Sequence, residues 1–301
     1  MRKIIVVAGA TGNLGGKIVK QLLTKDVDVR AIVRLKTDIL KIKELEHKGV
    51  SVYQVDTHNA SEISKHCLGA HCVVSALAGL KETVIDAQKI FLDAAVLANV
   101  PRFIPSDFSS DFTNLVKGQN RNLDFRRDFH AYLDQAPIKA TTIFNGPFMD
   151  LLTTDMPLIL FKQKKILCWG NPNQLLEFTT SDNVAEFTAA VAIDDDTPRY
   201  LRIAGDKLSC NDFVRLLSAL TSKKYSLFRP GGIGLLNFMI KATKFFSPSE
   251  NELYPAWQGM QYMRDLMEGR IIFLTYDNER YAHIKWTSAK EFLIQEKVTL
   301  K

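Results

Sequence analysis

Gly9, Gly12 and Gly15 stand three apart, at the end of an apolar run (Lys3-Ile4-Ile5-Val6-Val7-Ala8) and at the start of another carried by Ile18, Leu22 and Leu23. Glycines so placed can turn the chain sharply off a strand, let a pyrophosphate approach the backbone and let the next helix lie close on the sheet. The phosphates would then rest on the helix's N-terminal amides, in the loop that contains Thr11, Asn13 and Leu14. An ordinary glycine-rich turn is the bland alternative, but a strand before the glycines and a helical period after them supply the context that a dinucleotide cradle needs.

The next apolar run, residues 27–33, ends on Arg34, about twenty residues beyond the glycines, where a site for NAD would carry an acid to accept from the ribose 2′-hydroxyl. Arg34 instead offers a fork of donors to a 2′-phosphate, with Lys36 as a second cation close by. Both could also be solvated surface charges. The pattern predicts NADP(H) as cofactor in preference to NAD.

These residues need a scaffold, and the chain alternates strand-like and helix-like stretches. An amphipathic segment at 37–48 leads to a strand at 50–55 that ends on Asp56; then come a helix after Ser61, a strand at 72–77, a helix at 82–98 and a strand at 102–105. Parallel strands require such crossovers, so a doubly wound parallel α/β sheet is expected. Ligands collect at the carboxyl ends of its strands. Asp56, Leu77 within 75–79, and Ser106-Asp107-Phe108 fall there, each also readable as a cap or turn former. A helix at 121–135 and a strand at 140–144 follow, then the loop Asn145-Gly146-Pro147-Phe148. Next come a hairpin-like piece (166–169, Gly170, 177–180), a helix capped by Asp182, a strand at 200–204 and a capping-box sequence at Ser209 to Asp212. Residues 226–301 look like a small lobe with an apolar helix at 233–246, read as a core or pocket-wall helix in preference to a membrane-surface anchor.

A chain of 301 residues that is 46% hydrophobic is long enough for one large or two modest domains. Its net charge of +6 is modest, and no Lys/Arg run has the density of a nucleic-acid patch. Cys67, Cys72, Cys168 and Cys210 lack metal-ligand spacing, so no metal is expected and free thiols in a reducing cytoplasm are. A strand beginning at residue 3 leaves no room for a leader, and no stretch approaches the roughly twenty apolar residues of a membrane span.

On Val7-Ala8-Gly9-Ala10-Thr11-Gly12-Asn13-Leu14-Gly15, Arg34, Phe103-Ile104-Pro105-Ser106-Asp107-Phe108 and Ile143-Phe144-Asn145-Gly146-Pro147-Phe148, the chain resembles the NmrA-like, isoflavone-reductase-like group of atypical short-chain dehydrogenases. Pro255-Ala256-Trp257-Gln258-Gly259-Met260-Gln261-Tyr262 and Asp277-Asn278-Glu279-Arg280-Tyr281 resemble a bacterial subgroup mostly without assigned reactions. The resemblance implies a Rossmann domain over 1–150, completed by about 182–205, and a smaller substrate region over 151–181 and 206–301. It also implies two classes of activity: reduction of small aromatic or quinone-like molecules, or redox sensing through a protein partner. Fold alone does not choose between them.

The choice turns on a proton donor. Tyr281 and Lys285 have the Tyr-x-x-x-Lys spacing of ordinary short-chain dehydrogenases but lie far from the usual helix, and the match is read as coincidence. Isoflavone-reductase-like enzymes resemble one another in a lysine on the helix after the fifth strand; aligned on Phe129 and Leu133, Arg126 takes its place. Arginine stays protonated and can clamp a carboxylate or enolate, but it cannot act as an acid or base. His130, one turn on, is the nearby group suited to passing a proton, unless the segment is simply a solvated, ion-paired helix face. Phe148, Trp257 and Tyr262 would wall an apolar pocket for a ring, or serve as core. The expected function is an NADPH-dependent reductase of a small conjugated carbonyl, quinone or aromatic compound; the alternative is a non-catalytic NADP(H) sensor that acts on a protein partner.

Overall fold

The computed structural model describes residues 2–154 and 156–298. Strand β1 (Lys3–Ala8) is the centre of a six-stranded parallel sheet in the order β3-β2-β1-β4-β5-β6, formed with β2 (Val27–Arg34), β3 (Ser51–Val55), β4 (Cys72–Ser75), β5 (Arg102–Ile104) and β6 (Lys139–Ala140). Parallel strands are covered on both faces, and β1 shows how the sequence achieves it. Ile5 and Val7 pack on one face with Ile18 and Val19 of helix α1 (Asn13–Leu22). Val6 and Ala8 pack on the other, with Ile63 of α3 (Ala60–Cys67), Phe91 and Leu92 of α4 (Gln88–Leu97) and Phe129 of α5 (Arg121–Leu133). Helix α2 (Ile39–His47) bridges β2 and β3.

The direction of strand order reverses between β1 and β4, the point at which a doubly wound sheet opens a crevice. At the exit of β1, Gly9 has a φ of +82°, and a Cβ there would lie 2.6 Å from the Ala76 carbonyl oxygen. A Cβ at Gly15 would lie 2.1 Å from the Gly9 carbonyl oxygen. Only glycines let α1 descend this close to the sheet.

Several elements depart from their sequence reading. The helix expected over 82–98 begins as a π-helical turn (Glu82–Ala87) before α4, and the strand at 140–144 is split at Thr141 into β6 and β7 (Thr142–Phe144). Thr141 turns its N–H to the Phe103 carbonyl, and β7 pairs in parallel with β11 (Tyr200–Arg202). The hairpin at 166–180 does not form. β9 (Lys165–Leu167) pairs with β8 (Ile159–Leu160) and β13 (Ser226–Phe228), whereas β10 (Leu175–Phe178) pairs with β12 (Asp206–Ser209). The turn at Asn171 to Gln174 carries the chain from one small sheet to another instead of back along itself. Helix α6 (Ser181–Ile193) is capped by Thr180, whose hydroxyl accepts from Asn183 N–H, and not by Asp182, which pairs with Lys17 of α1 at 2.9 Å. Ser209 and Asp212 do form the capping box of α7 (Cys210–Thr221).

A third apolar cluster joins α7 to β8, β9 and β10, to α8 (Ile233–Phe246) and α9 (Ala256–Met267), and to α10 (Ala289–Gln295). Helix α8 is less buried than its core reading implied: Leu236 and Ile240 are its fully buried residues. All four cysteines are free and buried, and burial pushes the Cys67 and Cys72 thiols up to about 12 and the Cys210 thiol higher still. No described helix is long and apolar enough to cross a membrane.

The glycine contacts give a stability test. Gly15→Ala should cost about 1–3 kcal/mol in urea unfolding, as overpacking does. Gly234→Ala in α8, where a Cβ meets nothing within 4 Å, should instead stabilise by about 0.5–1 kcal/mol. Equal effects at the two positions would show that the α1 contact is not tight.

Candidate functional site

The loop after β1 presents a donor array without a donor side chain. Gly12 caps α1 with extended backbone and no side-chain hydrogen bond, and its N–H closes the turn on the Gly9 carbonyl at 2.9 Å. The amides of Asn13, Leu14 and Gly15 occupy the first turn of α1, where an α-helix supplies no carbonyl partners and the helix dipole is positive. Thr11 is half-buried beside them, while Gly12 and Asn13 are exposed. The terminus carries no acid in its first turn to occupy those amides.

Arg34 closes β2 opposite Val55 of β3, so it sits at the carboxyl end of the sheet, as does Asp56. The side chains of Arg34 and Lys36 are exposed, and neither has a hydrogen-bond or ion-pair partner among the described residues. Asp56 uses its carboxylate to accept from His58 N–H at 3.0 Å.

A continuous set of contacts leads from the glycines to α5. Gly9 lies against Ala76 and Leu77. The Leu77 carbonyl accepts from the Ser106 hydroxyl at 2.6 Å, and Ser106 N–H donates to the buried Gln88 amide oxygen. Next to Ser106, Asp107 is fully buried; its Oδ2 meets His130 Nε2 at 2.5 Å and accepts from the Thr142 hydroxyl at 2.9 Å. Burial pushes the Asp107 carboxyl up. His130, Arg126 and the Thr142 hydroxyl outweigh that push and hold it below the usual carboxylate range. Asp107 Oδ1 and Asn145 Oδ1, just beyond the carboxyl ends of β5 and β7, are buried with no hydrogen-bond partner among the described residues.

The arrangement of α5 departs from both readings of its sequence. Arg127 pairs with Asp124, and Lys117 with Asp128, on the outer side. His130 faces inward, 6% exposed, edge-on to Phe112 and committed to Asp107. It is neither solvated nor open to a ligand through Nε2. Arg126, one turn earlier, donates from Nη1 to the Asn122 carbonyl at 2.9 Å, while its Nε is buried with no partner among the described residues. Tyr262 of α9 is its neighbour: burial pushes the phenol up to about 12, while the Arg126 charge and the Asn122 amide pull the other way. The structure thus couples the Arg126 charge to Tyr262 and turns His130 to Asp107.

Of the other expected pocket walls, Phe148 is half-buried and packs against the sheet core. Trp257 is fully buried, donates its indole N–H to the Pro248 carbonyl at 2.7 Å and lies under Arg121 and Lys244. This places Trp257 as a packing post and not on an open wall. Tyr281 donates to Asp194, away from these groups. The sequence reading missed the joint that seats α5 on α9. Asn120 donates to Asp265 at 2.8 Å and accepts from Gln258 at 2.8 Å, and Gln261 accepts from Arg121 N–H at 3.2 Å. Partners some 140 residues apart carry no local signature.

A model of the NmrA-like family matches residues 1–229. The chain is 25% identical over 233 residues to probable pinoresinol-lariciresinol reductase 3 of Arabidopsis thaliana, covering 73% of this chain and 74% of that protein. It is 27% identical over 232 residues to oxidoreductase aprR of Aspergillus flavus, covering 74% and 75%. Among solved structures, an isoflavone reductase superposes with a TM-score of 0.82 at 20% identity, covering 98% of this chain and 100% of that one. AtPrR2 with NADP+ and (+)pinoresinol superposes with 0.80 at 20% identity, covering 97% and 98%. The six-stranded doubly wound sheet, the glycine turn and a family match running from the first residue to 229 lead to one conclusion: the chain belongs to the NmrA-like family.

Proposed function

We propose that the protein is an NADPH-dependent reductase of a small conjugated carbonyl, quinone or aromatic compound. The observation that carries the cofactor is Arg34, an exposed guanidinium with no partner among the described residues where an acid would read a plain ribose, on the same sheet end as a helix terminus kept bare by glycine. Structures and relatives whose names are those of NADP(H)-bound or reductase proteins support the same reading. The pyrophosphate would lie on the α1 amides with Gly9, Gly12 and Gly15 leaving room for it, Arg34 and Lys36 would take the 2′-phosphate, and Leu77, Ser106 and Asn145 would border the nicotinamide end. When bound, the cofactor supplies a hydride.

The chain's part is to bind the acceptor oxygen and stabilise the negative charge that grows on it. Arg126 is a permanent cation that spends Nη1 on the Asn122 carbonyl and leaves Nη2 without a partner among the described residues, and Tyr262 keeps its phenol protonated at neutral pH, so the pair offers donors. Asp107, whose charge is coupled to Arg126, is already held by His130 and Thr142. His130 acts on the site as a positioning residue, fixing the turn of α5 that carries Arg126, and solvent supplies the final proton. Phe148 and the face of α9 that carries Tyr262 would shape the rest of the substrate region.

Three expectations follow from these placements. NADPH should bind about tenfold or more tightly than NADH, since each charge-assisted hydrogen bond to the 2′-phosphate contributes ~1.5–3 kcal/mol. Arg34→Ala should remove most of that gap and leave NADH affinity nearly unchanged; calorimetric titration giving equal wild-type affinities would remove the basis for NADP(H). In a panel of quinones, enones and aromatic aldehydes, at least one compound should accelerate NADPH oxidation, and Arg126→Met should lower kcat for it by about 10²-fold. Silence across the panel would sink the reductase reading. His130→Ala should cost about 3–5 kcal/mol of stability by stranding Asp107. Because His130 helps to hold the Asp107 carboxyl below its unfolded value, the stability that Asp107 contributes is present at neutral pH and lost as pH falls through its folded value. Without His130, acid unfolding should begin at higher pH, and an unchanged acid midpoint would show that the pair is not coupled to folding.

A further inference from the structure

Helix α8 carries two apolar faces, and one of them is left exposed by the described residues. Leu236 and Ile240 turn inward to the third core cluster. Leu235, Phe238, Met239, Phe245 and Phe246 recur at the helical period on the outer side, with Phe245 81% and Phe246 83% exposed. Helical geometry sets Lys241 on one border of that outer stripe, and Lys244, one turn on, lies with its Nζ 4.9 Å from the Trp257 ring centroid. The strand leading into the helix continues the exposed surface through Phe228, over whose ring Lys165 lies at 5.5 Å.

The charge of this lobe is as unusual as its apolar stripe. Residues 213–249 contain Arg215, Lys223, Lys224, Arg229, Lys241 and Lys244 and no Asp or Glu. Residues 156–176 contain Lys162, Lys164 and Lys165, again with no acid. Parallel pairing of β13 with β9 joins the two segments, with Ser226 opposite Lys165, and Ser226 N–H donates to the Lys164 carbonyl. Arg215 pairs with Asp212 at the edge of the first segment; the other eight cations have no ion-pair partner among the described residues, more than the +6 of the whole chain, so the remainder of the molecule is net negative.

We propose that this lobe docks on an anionic lipid bilayer, with α8 lying in the plane of the interface, its phenylalanines among the headgroups and acyl-chain ends, and the lysines facing lipid phosphates. At 14 residues α8 is too short to span, and its bordering lysine suits the boundary between hydrocarbon and headgroup. A second copy of the chain on the same face would bring eight unpaired cations against eight. A nucleic acid would satisfy the lysines and leave five large apolar side chains against phosphates. An anionic bilayer satisfies both sets of groups at once.

The test is flotation of the NADPH-loaded protein with vesicles of pure phosphatidylcholine and with equimolar phosphatidylcholine and phosphatidylglycerol. The protein should float with the anionic vesicles only, and raised salt should release it. Phe245→Ser with Phe246→Ser, and separately Lys162→Gln, Lys164→Gln and Lys165→Gln together, should each weaken binding by about tenfold or more. Both variant sets change exposed residues outside the cofactor and acceptor sites, so NADPH affinity and the circular dichroism spectrum should match wild type and a folding defect would be visible. Three outcomes would overturn the proposal: no flotation with anionic vesicles, a concentration-dependent dimer in light scattering that the Phe variant abolishes, or retardation of duplex DNA that the Phe variant leaves intact.

Discussion

Both ends of α5 are fixed by buried polar groups, and the relation between the doubly wound sheet and the C-terminal helices depends on them. At its start Asn120 is shared between the helix cap, Asp265 and Gln258 of α9; near its end His130 is tied to Asp107 beyond β5 and to Thr142 of β7. The Thr142 hydroxyl also accepts from Arg199, which pairs with Asp134 just past the helix. Groups of this kind stabilise little on balance when fully paired and destabilise strongly when one partner is removed. They therefore act as an alignment constraint: one placement of α5 satisfies every group, and small slippage leaves a buried carboxylate without its partner. Arg126 lies between the two fixed points.

The glycine turn works by the opposite means, by leaving groups unmet. Every side chain that could cap α1 is absent, and the approach of Gly15 to the Gly9 carbonyl brings the bare helix terminus down to the sheet edge. Lys17 further along α1 is held by Ser181 and Asp182 of α6, so the terminus is anchored from its far side without a side chain entering the crevice. A cradle made of backbone is insensitive to pH and rotamer choice, which suits a ligand whose charge is fixed.

The sequence made the first half of this molecule readable because its signals are local. β1, α1 and β2 follow from an apolar run, three glycines and a second apolar run, and Arg34 falls at the strand end where the period places it. The capping box at Ser209 and the bounds of α8 were legible for the same reason. Where sequence reading failed, the deciding contact was distant. Residues 166–180 carry strand and turn propensities that fit a hairpin, yet β9 finds its parallel partner at β13, some sixty residues on. His130 reads as a helix-face histidine, and nothing near it in sequence announces that Asp107 and Thr142 will enclose it. Arg126 and Tyr262 are neighbours only because α9 is seated on α5 by groups on both helices. The outer stripe of α8 was visible as apolar residues, but periodicity cannot tell which of two apolar faces the fold will cover.

The burial of all four cysteines bears on survival in the presence of reactive acceptors. Quinones and conjugated carbonyls are electrophiles that alkylate thiolates, and a thiol held near 12 is almost wholly protonated at neutral pH. Cys67 and Cys72 sit in that state within the sheet's helical layer and its fourth strand, and Cys168 and Cys210 lie inside the third core. In a chain built this way little thiolate is open to attack by a soft electrophile at neutral pH, whatever compound meets its surface.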